Sequence, residues 1–290
     1  MGNSKVYDMI NDKIMDLLAA GTVPWKKPWQ STTSIPKNLI SKKGYRGVNL
    51  FMLACQPFSS PYWMTYKQAT DLGGHVKKGE KSTPVIFWKM LDKDDTVSDN
   101  ATTGKIPLLR YYSVFNAEQC EDIITPPIDE VSNPFTPIES AENIFLGMPM
   151  KPEIKYGGNR AYYSPTLDYI QLPKNTAFDS EAEYYNTLFH EACHASGHAK
   201  RLARKSIMEP SYFGSHEYSR EELIAETGAA FLCGHAGIVN STIENSAAYI
   251  QGWLRALKND RTLLVHAAAQ GHKAADYILN VQPDEVEAEA

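Results

Sequence analysis

The chemistry-bearing residues of this chain are concentrated in the stretch Tyr-Tyr-Asn-Thr-Leu-Phe-His-Glu-Ala-Cys-His-Ala-Ser-Gly-His, residues 184–198. On a helix, positions i and i+4 lie one turn apart on the same face, so His190 and His194 can hold a single ion between them. Glu191 sits beside the first ligand, within reach of a water on that ion. Zinc lowers the pKa of such a water towards neutrality, and a neighbouring carboxylate can take its proton during attack on a carbonyl. The rest of the helix is apolar or small (Leu188, Phe189, Ala192, Ala195), a setting in which three polar side chains are costly unless something binds them. The pattern assigns His190 and His194 as metal ligands and Glu191 as the general base. Zinc is the expected ion, with another divalent ion such as manganese also compatible.

A catalytic zinc takes three protein ligands and keeps one position open. Downstream, Tyr218-Ser-Arg-Glu-Glu-Leu-Ile-Ala-Glu-Thr-Gly-Ala-Ala carries carboxylates at Glu221, Glu222 and Glu226 on a second expected helix, followed by small residues suited to close helix contact. Glu222 is the preferred third ligand and Glu221 its competitor. Glu226, one turn beyond Glu222, is expected behind it, orienting a histidine through its second ring nitrogen. His198 follows His194 by four residues, but Gly197 marks the helix end, which favours a helix-terminal role. His235, at the end of the second helix, is read as a solvated helix end before an oxyanion-stabilising group. Cys193 faces away from the two histidines by helical geometry, so a closed thiolate site is not expected.

Four helical segments position these residues, at about 179–198, 217–236, 243–259 and 261–280. Before them, 141–148 reads as a helix and 161–163 and 169–172 as short strands around a Ser-Pro-Thr turn. Prolines 126, 127, 134 and 137 punctuate 125–140, taken as a linker between a first domain, 1–124, and a second, 141–290. In the first domain Val6, Met9, Ile10, Ile14, Leu17 and Leu18 repeat at helical spacing before Gly21. Short helices are expected at 48–55 and 65–72. Strands are expected at 83–91 and 107–116, joined by an acidic loop over 92–104. The fold class is α+β: a small N-terminal α+β domain, then a mainly helical domain with a short sheet.

The chain's 290 residues carry a net charge of −5, which hides an asymmetry. Residues 21–91 contain eleven lysines and arginines against Asp71 and Glu80, a local charge of +9 on an otherwise acidic protein. Trp25, Trp29, Tyr45, Tyr62, Trp63, Tyr66 and Trp88 lie among those cations. Cations that follow phosphates, interleaved with rings that stack on unpaired bases, are what single-stranded nucleic acid requires. The candidates for contacting single-stranded DNA are Trp25, Lys26, Lys27, Trp29, Lys42, Lys43, Tyr45, Arg46, Lys77 and Lys78. No apolar run approaches membrane-spanning length and no signal-peptide core opens the chain, so a cytoplasmic protein without a membrane partner is expected. Cys55, Cys120, Cys193 and Cys233 form no C-x-x-C pair and read as reduced thiols.

Several stretches together resemble the ArdC-type antirestriction proteins of conjugative plasmids and related mobile elements. They are Val23-Pro-Trp-Lys-Lys-Pro-Trp29, Tyr45-Arg-Gly-Val-Asn-Leu50, Trp63-Met-Thr-Tyr-Lys-Gln-Ala69, Gly79-Glu-Lys-Ser-Thr-Pro-Val85, Tyr112-Ser-Val-Phe-Asn-Ala-Glu118, Tyr163-Ser-Pro-Thr-Leu-Asp-Tyr-Ile170 and Lys273-Ala-Ala-Asp-Tyr-Ile278. The H-E-x-x-H helix and the Glu-Glu-Leu-Ile-Ala-Glu segment complete the match, which covers nearly the whole chain. The resemblance implies an N-terminal domain that binds single-stranded DNA, a zincin-like metallopeptidase domain after it, and protection of incoming plasmid DNA from host restriction. It leaves Glu222 and Glu221 both open as third ligand. Two other functions remain on the residues alone: a DNA-binding protein with an idle metal domain, or a cytoplasmic zinc peptidase whose basic part recognises a protein partner.

Overall fold

The computed structural model describes residues 3–25, 35–92, 105–127, 137–209, 216–238 and 247–281. The first helix, α1 (Asn3–Ala19), turns its apolar repeat inward, with Ile10, Ile14 and Leu18 inaccessible to solvent and Met9 and Leu17 half-buried. Gly21 ends the segment with a positive φ of 83°. A four-stranded sheet follows, made of β1 (Lys37–Asn38), β2 (Tyr62–Met64), β4 (Thr83–Asp92) and β5 (Lys105–Asn116) in the order β1-β2-β5-β4. β1 runs parallel to β2 and the other pairs are antiparallel. Between the strands lie α2 (Val48–Ala54) and α3 (Tyr66–Asp71), the latter opened by a capping box in which Thr65 and Gln68 satisfy each other's backbone N–H. β3 (His75–Val76) and β6 (Cys120–Glu121) form a small antiparallel pair.

The second half begins with α4 (Pro137–Gly147) and a three-stranded sheet of β7 (Glu153–Tyr156), β8 (Tyr162–Ser164) and β9 (Tyr169–Leu172), ordered β7-β9-β8. Helices α5 (Glu181–Ser196), α6 (Lys205–Met208), α7 (His216–Ala236), α8 (Ala247–Asn259) and α9 (Leu263–Ile278) complete it. The architecture is mixed α+β, with an N-terminal part built on sheet and a largely helical C-terminal part, as expected from the sequence. Residues 93–104, expected to form an acidic loop, and most of the proline-rich stretch, 128–136, lie outside the described residues.

The largest core does not respect the division at 125–140. It joins Ile10, Ile14 and Leu18 of α1 and Phe51 of α2 to Phe231 of α7, Leu257 of α8 and Leu264 of α9. Phe51 and Phe231 stack with centroids 4.8 Å apart. Asn11 donates to the Leu257 carbonyl at 3.2 Å, and Arg261 reaches Asp8 and Asp12 on α1. The N-terminal helix thus packs against both the N-terminal sheet, at Leu109, and the C-terminal helices.

Within the helical part, α5, α7 and α9 cross at small residues. A Cβ on Gly228 would meet the Cys193 Sγ at 2.5 Å, and one on Gly271 would meet the Thr227 Oγ1 at 2.2 Å and the Gly228 nitrogen at 2.9 Å. The Thr-Gly-Ala-Ala run of α7 is therefore what lets that helix lie directly against α5, one turn from its carboxylates.

Candidate metal centre

Helix α5 starts where Ser180 accepts the Glu183 N–H at 3.2 Å, with Glu181 and Glu183 in the electropositive first turn. Its last two turns are buried, and its free C-terminal carbonyls are met by arginines. Arg204 donates to the Cys193 carbonyl at 2.6 Å and Arg201 to the Ala195 carbonyl at 3.0 Å. Gly197 caps this end because a side chain there would strike the Arg204 guanidinium at 2.9 Å. The end of the helix is fixed by charge at the negative pole of its dipole, so the two histidines are presented from a rigid element.

His190, His194 and Glu222 bring one donor atom each to within 4.8 Å of one another. The Nε2 atoms of the two histidines are 3.1 Å apart. Glu222 oxygens lie 3.5 Å from the Nε2 of His190 and 3.7 Å from that of His194. Ligands at about 2.0–2.1 Å from a tetrahedral ion are separated by about 3.3 Å, so the spacing of this donor set fits a small divalent metal. Glu191 is buried on the same helix, beside His190.

The electrostatics of the site suit a cation. Burial alone would push His190 down, but its hydrogen bond to Glu222 and the charges of Glu191 and Glu226 more than offset this and hold it at about 9. Burial would raise Glu222, and the histidines together with the Tyr218 hydroxyl overcome it, leaving the carboxyl below its usual value.

Behind His194 stands Glu221, whose carboxylate lies 3.2 Å from Nδ1. Burial opposes its ionisation, yet His194 and Arg204 hold it down at about 2. Arg204 meets it from two nitrogens, at 3.2 and 2.6 Å, and the Ser206 hydroxyl donates to its second oxygen. An ionised carboxylate only accepts, so the His194 proton sits on Nδ1 and the Nε2 lone pair faces the other donors. The two adjacent glutamates thus occupy different places: Glu222 on the donor cluster, Glu221 against the second nitrogen of a ligand. The latter is the position expected of Glu226. That residue, one turn along α7, instead accepts from the Tyr249 hydroxyl at 3.1 Å, and Tyr249 accepts from the Trp25 indole at 3.2 Å. Arg204 and Ser206 lie in a loop and a one-turn helix with no periodic signal, so the sequence did not single them out.

The other histidines lie apart from the cluster. His198 is past the end of α5, where its Nδ1 takes the Lys200 N–H at 3.2 Å. His235 is thirteen residues from Glu222 on α7, about 20 Å along the axis.

The N-terminal candidates are not all available to a ligand. Lys42, Lys43, Lys77 and Lys78 are exposed. Arg46 is committed to Asp276 on α9. Trp25 and Tyr45 are only 3% and 7% exposed, so neither offers a ring face to a ligand as the chain stands. Trp25 packs edge-on against Trp253 at 5.8 Å, and Tyr45 is buried with Leu53, Trp63, Val85 and Val114. Lys26, Lys27 and Trp29 lie outside the described residues. Among the described residues, no helix is long and apolar enough to cross a membrane.

Comparison with known proteins finds two family models along the chain. Residues 4–115 match the N-terminal domain of anti-restriction factor ArdC, and residues 139–270 match a zincin-like metallopeptidase. The crystal structure of antirestriction protein ArdC from plasmid R388, in its metal-free form, superposes with a TM-score of 0.74 at 37% identity, covering 96% of this chain and 99% of that one. This chain belongs to the ArdC antirestriction family. The Mn(II)-bound structure of the same R388 protein matches with a TM-score of 0.73 at 36% identity, over 94% of this chain and 97% of that one. An uncharacterised protein, y4eC, of Sinorhizobium fredii (strain NBRC 101917 / NGR234) is 33% identical over 96% of this chain and 93% of its own length. An Escherichia coli DNA primase TraC is 33% identical over 97% of this chain, but the match spans only 28% of that longer protein.

Proposed function

We propose that this ArdC-family chain binds single-stranded DNA through its N-terminal part and holds a divalent metal at His190, His194 and Glu222, and that it protects incoming DNA from host restriction. The observation that carries the metal reading is the convergence of two imidazole nitrogens and a carboxylate at distances suited to one small ion. Zinc fits this nitrogen and oxygen set, and the Mn(II)-bound R388 relative supports manganese as an alternative. The eleven cations of residues 21–91 support the DNA reading.

A bound divalent ion would supply an acidified water and a polarised carbonyl. The protein's own part is to hold the reacting groups. Glu191 accepts a proton from the attacking water and returns it to the leaving amine. Glu221 keeps the proton of His194 on Nδ1, with Arg204 holding Glu221 ionised and in place. The substrate class for such a site is a peptide bond, in a host protein.

Glu191→Ala tests whether the chemistry serves the protection. The variant should retain metal, because Glu191 is not one of the three converging donors, and should lose protection of a plasmid transferred into a restricting host. Full protection with full metal content would mean that the metal part is catalytically idle and that DNA binding alone protects.

A further inference from the structure

One face of the four-stranded sheet carries an exposed strip of rings and cations that the metal centre does not use. Register places it: Met64 on β2 lies opposite Phe115 on β5, and Lys37 on β1 lies opposite Tyr62 on β2. Side chains alternate along a strand, so Tyr62 and Met64 share their face with Phe115, Ser113 and Tyr111 of β5. Near β1 this face is covered by α3, which buries Tyr62, Met64 and Ala69 together with Leu39. Past the edge of α3 the cover stops. Tyr111 is 52% exposed and Ser113 is exposed beside it. Tyr66, the first residue of α3, is 61% exposed and meets Phe115 edge-on at 6.5 Å.

Cations lie at the β1 end of this face and beside Tyr66. The ammonium groups of Lys37 and Lys42 sit over the Tyr62 ring at 5.2 and 5.5 Å, and Lys67 is exposed next to Tyr66. Among the described residues, none of these three lysines is ion-paired with a carboxylate. Lys67 stands beside the open Tyr66 ring, while Lys37 and Lys42 lie at the β1 end of the same face over the buried Tyr62. Unpaired ammonium groups on a face that also carries the open Tyr66 and Tyr111 rings suit a ligand with both phosphates and unpaired bases. An acidic peptide would use the lysines and leave the rings in water; a duplex offers no free base face.

We propose that Tyr66, Phe115 and Tyr111, with Lys37, Lys42 and Lys67, form the base-stacking surface for single-stranded DNA. This rests on the DNA-binding reading above and replaces the buried rings of Trp25 and Tyr45 as the stacking groups. The strand lies across the β5 face, its bases on the tyrosines and its phosphates towards the lysines.

Fluorescence anisotropy with the full chain and a labelled oligothymidylate tests it. Tyr66→Leu and Tyr111→Leu should each weaken binding by about fivefold to a hundredfold, while Tyr66→Phe, which keeps the π-face, should stay within about twofold of the parent. Tyr156→Leu, an equally exposed tyrosine on β7, should leave affinity unchanged. Thermal melting of each variant confirms that these surface changes leave the fold intact. Unaltered affinity in the Tyr66→Leu/Tyr111→Leu double variant, with the parent still binding, would overturn the strip and leave the DNA reading standing. Equal affinity for a duplex of matching length, or displacement of the oligonucleotide by polyglutamate at lower concentration than by unlabelled oligothymidylate, would likewise overturn it. Failure of the parent to bind any oligonucleotide would remove both.

Discussion

The metal centre and the basic sheet face handle charge in opposite ways. Around α5 the charged groups are multiply bound: the buried Glu221 is held by His194, Arg204 and Ser206, while the half-buried Asp168 is held by Arg201 and the Tyr163 hydroxyl. In the N-terminal half Lys42 and Lys78 stand in solvent without a carboxylate partner among the described residues, and the Lys77 ammonium donates to the Glu118 carbonyl. Buried charges are costly to separate and fix geometry, as a site for one ion at set distances requires. Exposed cations cost the fold little and can follow a flexible polyanion. The difference teaches that the same residue types fix geometry in one half and stay open to solvent in the other.

The sharpest way to break this contrast is at the ligands. His190→Ala should abolish metal binding, from about one ion per chain to none, by elemental analysis beside the parent. Equal metal content in both would refute the assignment of the site.

Next come the groups behind the ligands. Arg204→Ala or Glu221→Ala leaves its partner charged and buried, and should cost about 3–5 kcal/mol in urea unfolding. The pH dependence follows from Glu221, whose folded pKa of about 2 lies below its ordinary carboxylate value. Its stabilisation is complete above the ordinary value and is lost as pH falls through about 2. The stability gap between parent and Glu221→Gln should therefore narrow on acidification through that window. A gap that widened would reverse the sign of the argument.

A smaller effect is expected where the helices touch. Gly228→Ala places a methyl group 2.5 Å from the Cys193 Sγ and must push α7 away from α5. Overpacking of this kind costs about 1–3 kcal/mol. Because Glu222 rides on α7 and the histidines on α5, metal affinity should fall along with stability. Weakened stability with unchanged affinity would show that the helix separation does not set the donor geometry.

These two halves were also unequally legible. The histidines of α5 were readable because i, i+4 spacing on a helix fixes which side chains meet, whatever the rest of the fold does. Glu221 and Glu222 both pointed at the site, but adjacent helical residues diverge by about 100°, and only the packing of α7 decides which meets the donors and which meets Nδ1. Arg204 was hidden because its contact depends on the bare space at Gly197 after a helix end. In the N-terminal half, α1 followed from its helical repeat and the long strands β4 and β5 from their β-branched and aromatic residues. The two-residue strands β1, β3 and β6 carry too few residues for any period to show. Ring facing was the main loss: composition counts tryptophans and tyrosines but does not tell Trp25, buried against Trp253, from Tyr66, open to solvent.

The smallest effect on the fold should come from exposed lysines of the N-terminal half, and it separates the two halves most cleanly. Lys42→Gln with Lys78→Gln removes two exposed charges and should change stability by no more than about 0.5 kcal/mol each. If both lysines contact phosphates, each contributes about 0.7 to the slope of log affinity against log salt on a single strand, so the double variant should flatten that slope by about 1.4. Glu221→Ala, by contrast, should lower stability and leave the slope alone, because its charge is buried against Arg204 behind the histidines. A flattened slope in Glu221→Ala, or an unchanged one in the lysine variant, would mean that the phosphate-binding charge lies elsewhere and that the two halves do not divide their electrostatic roles.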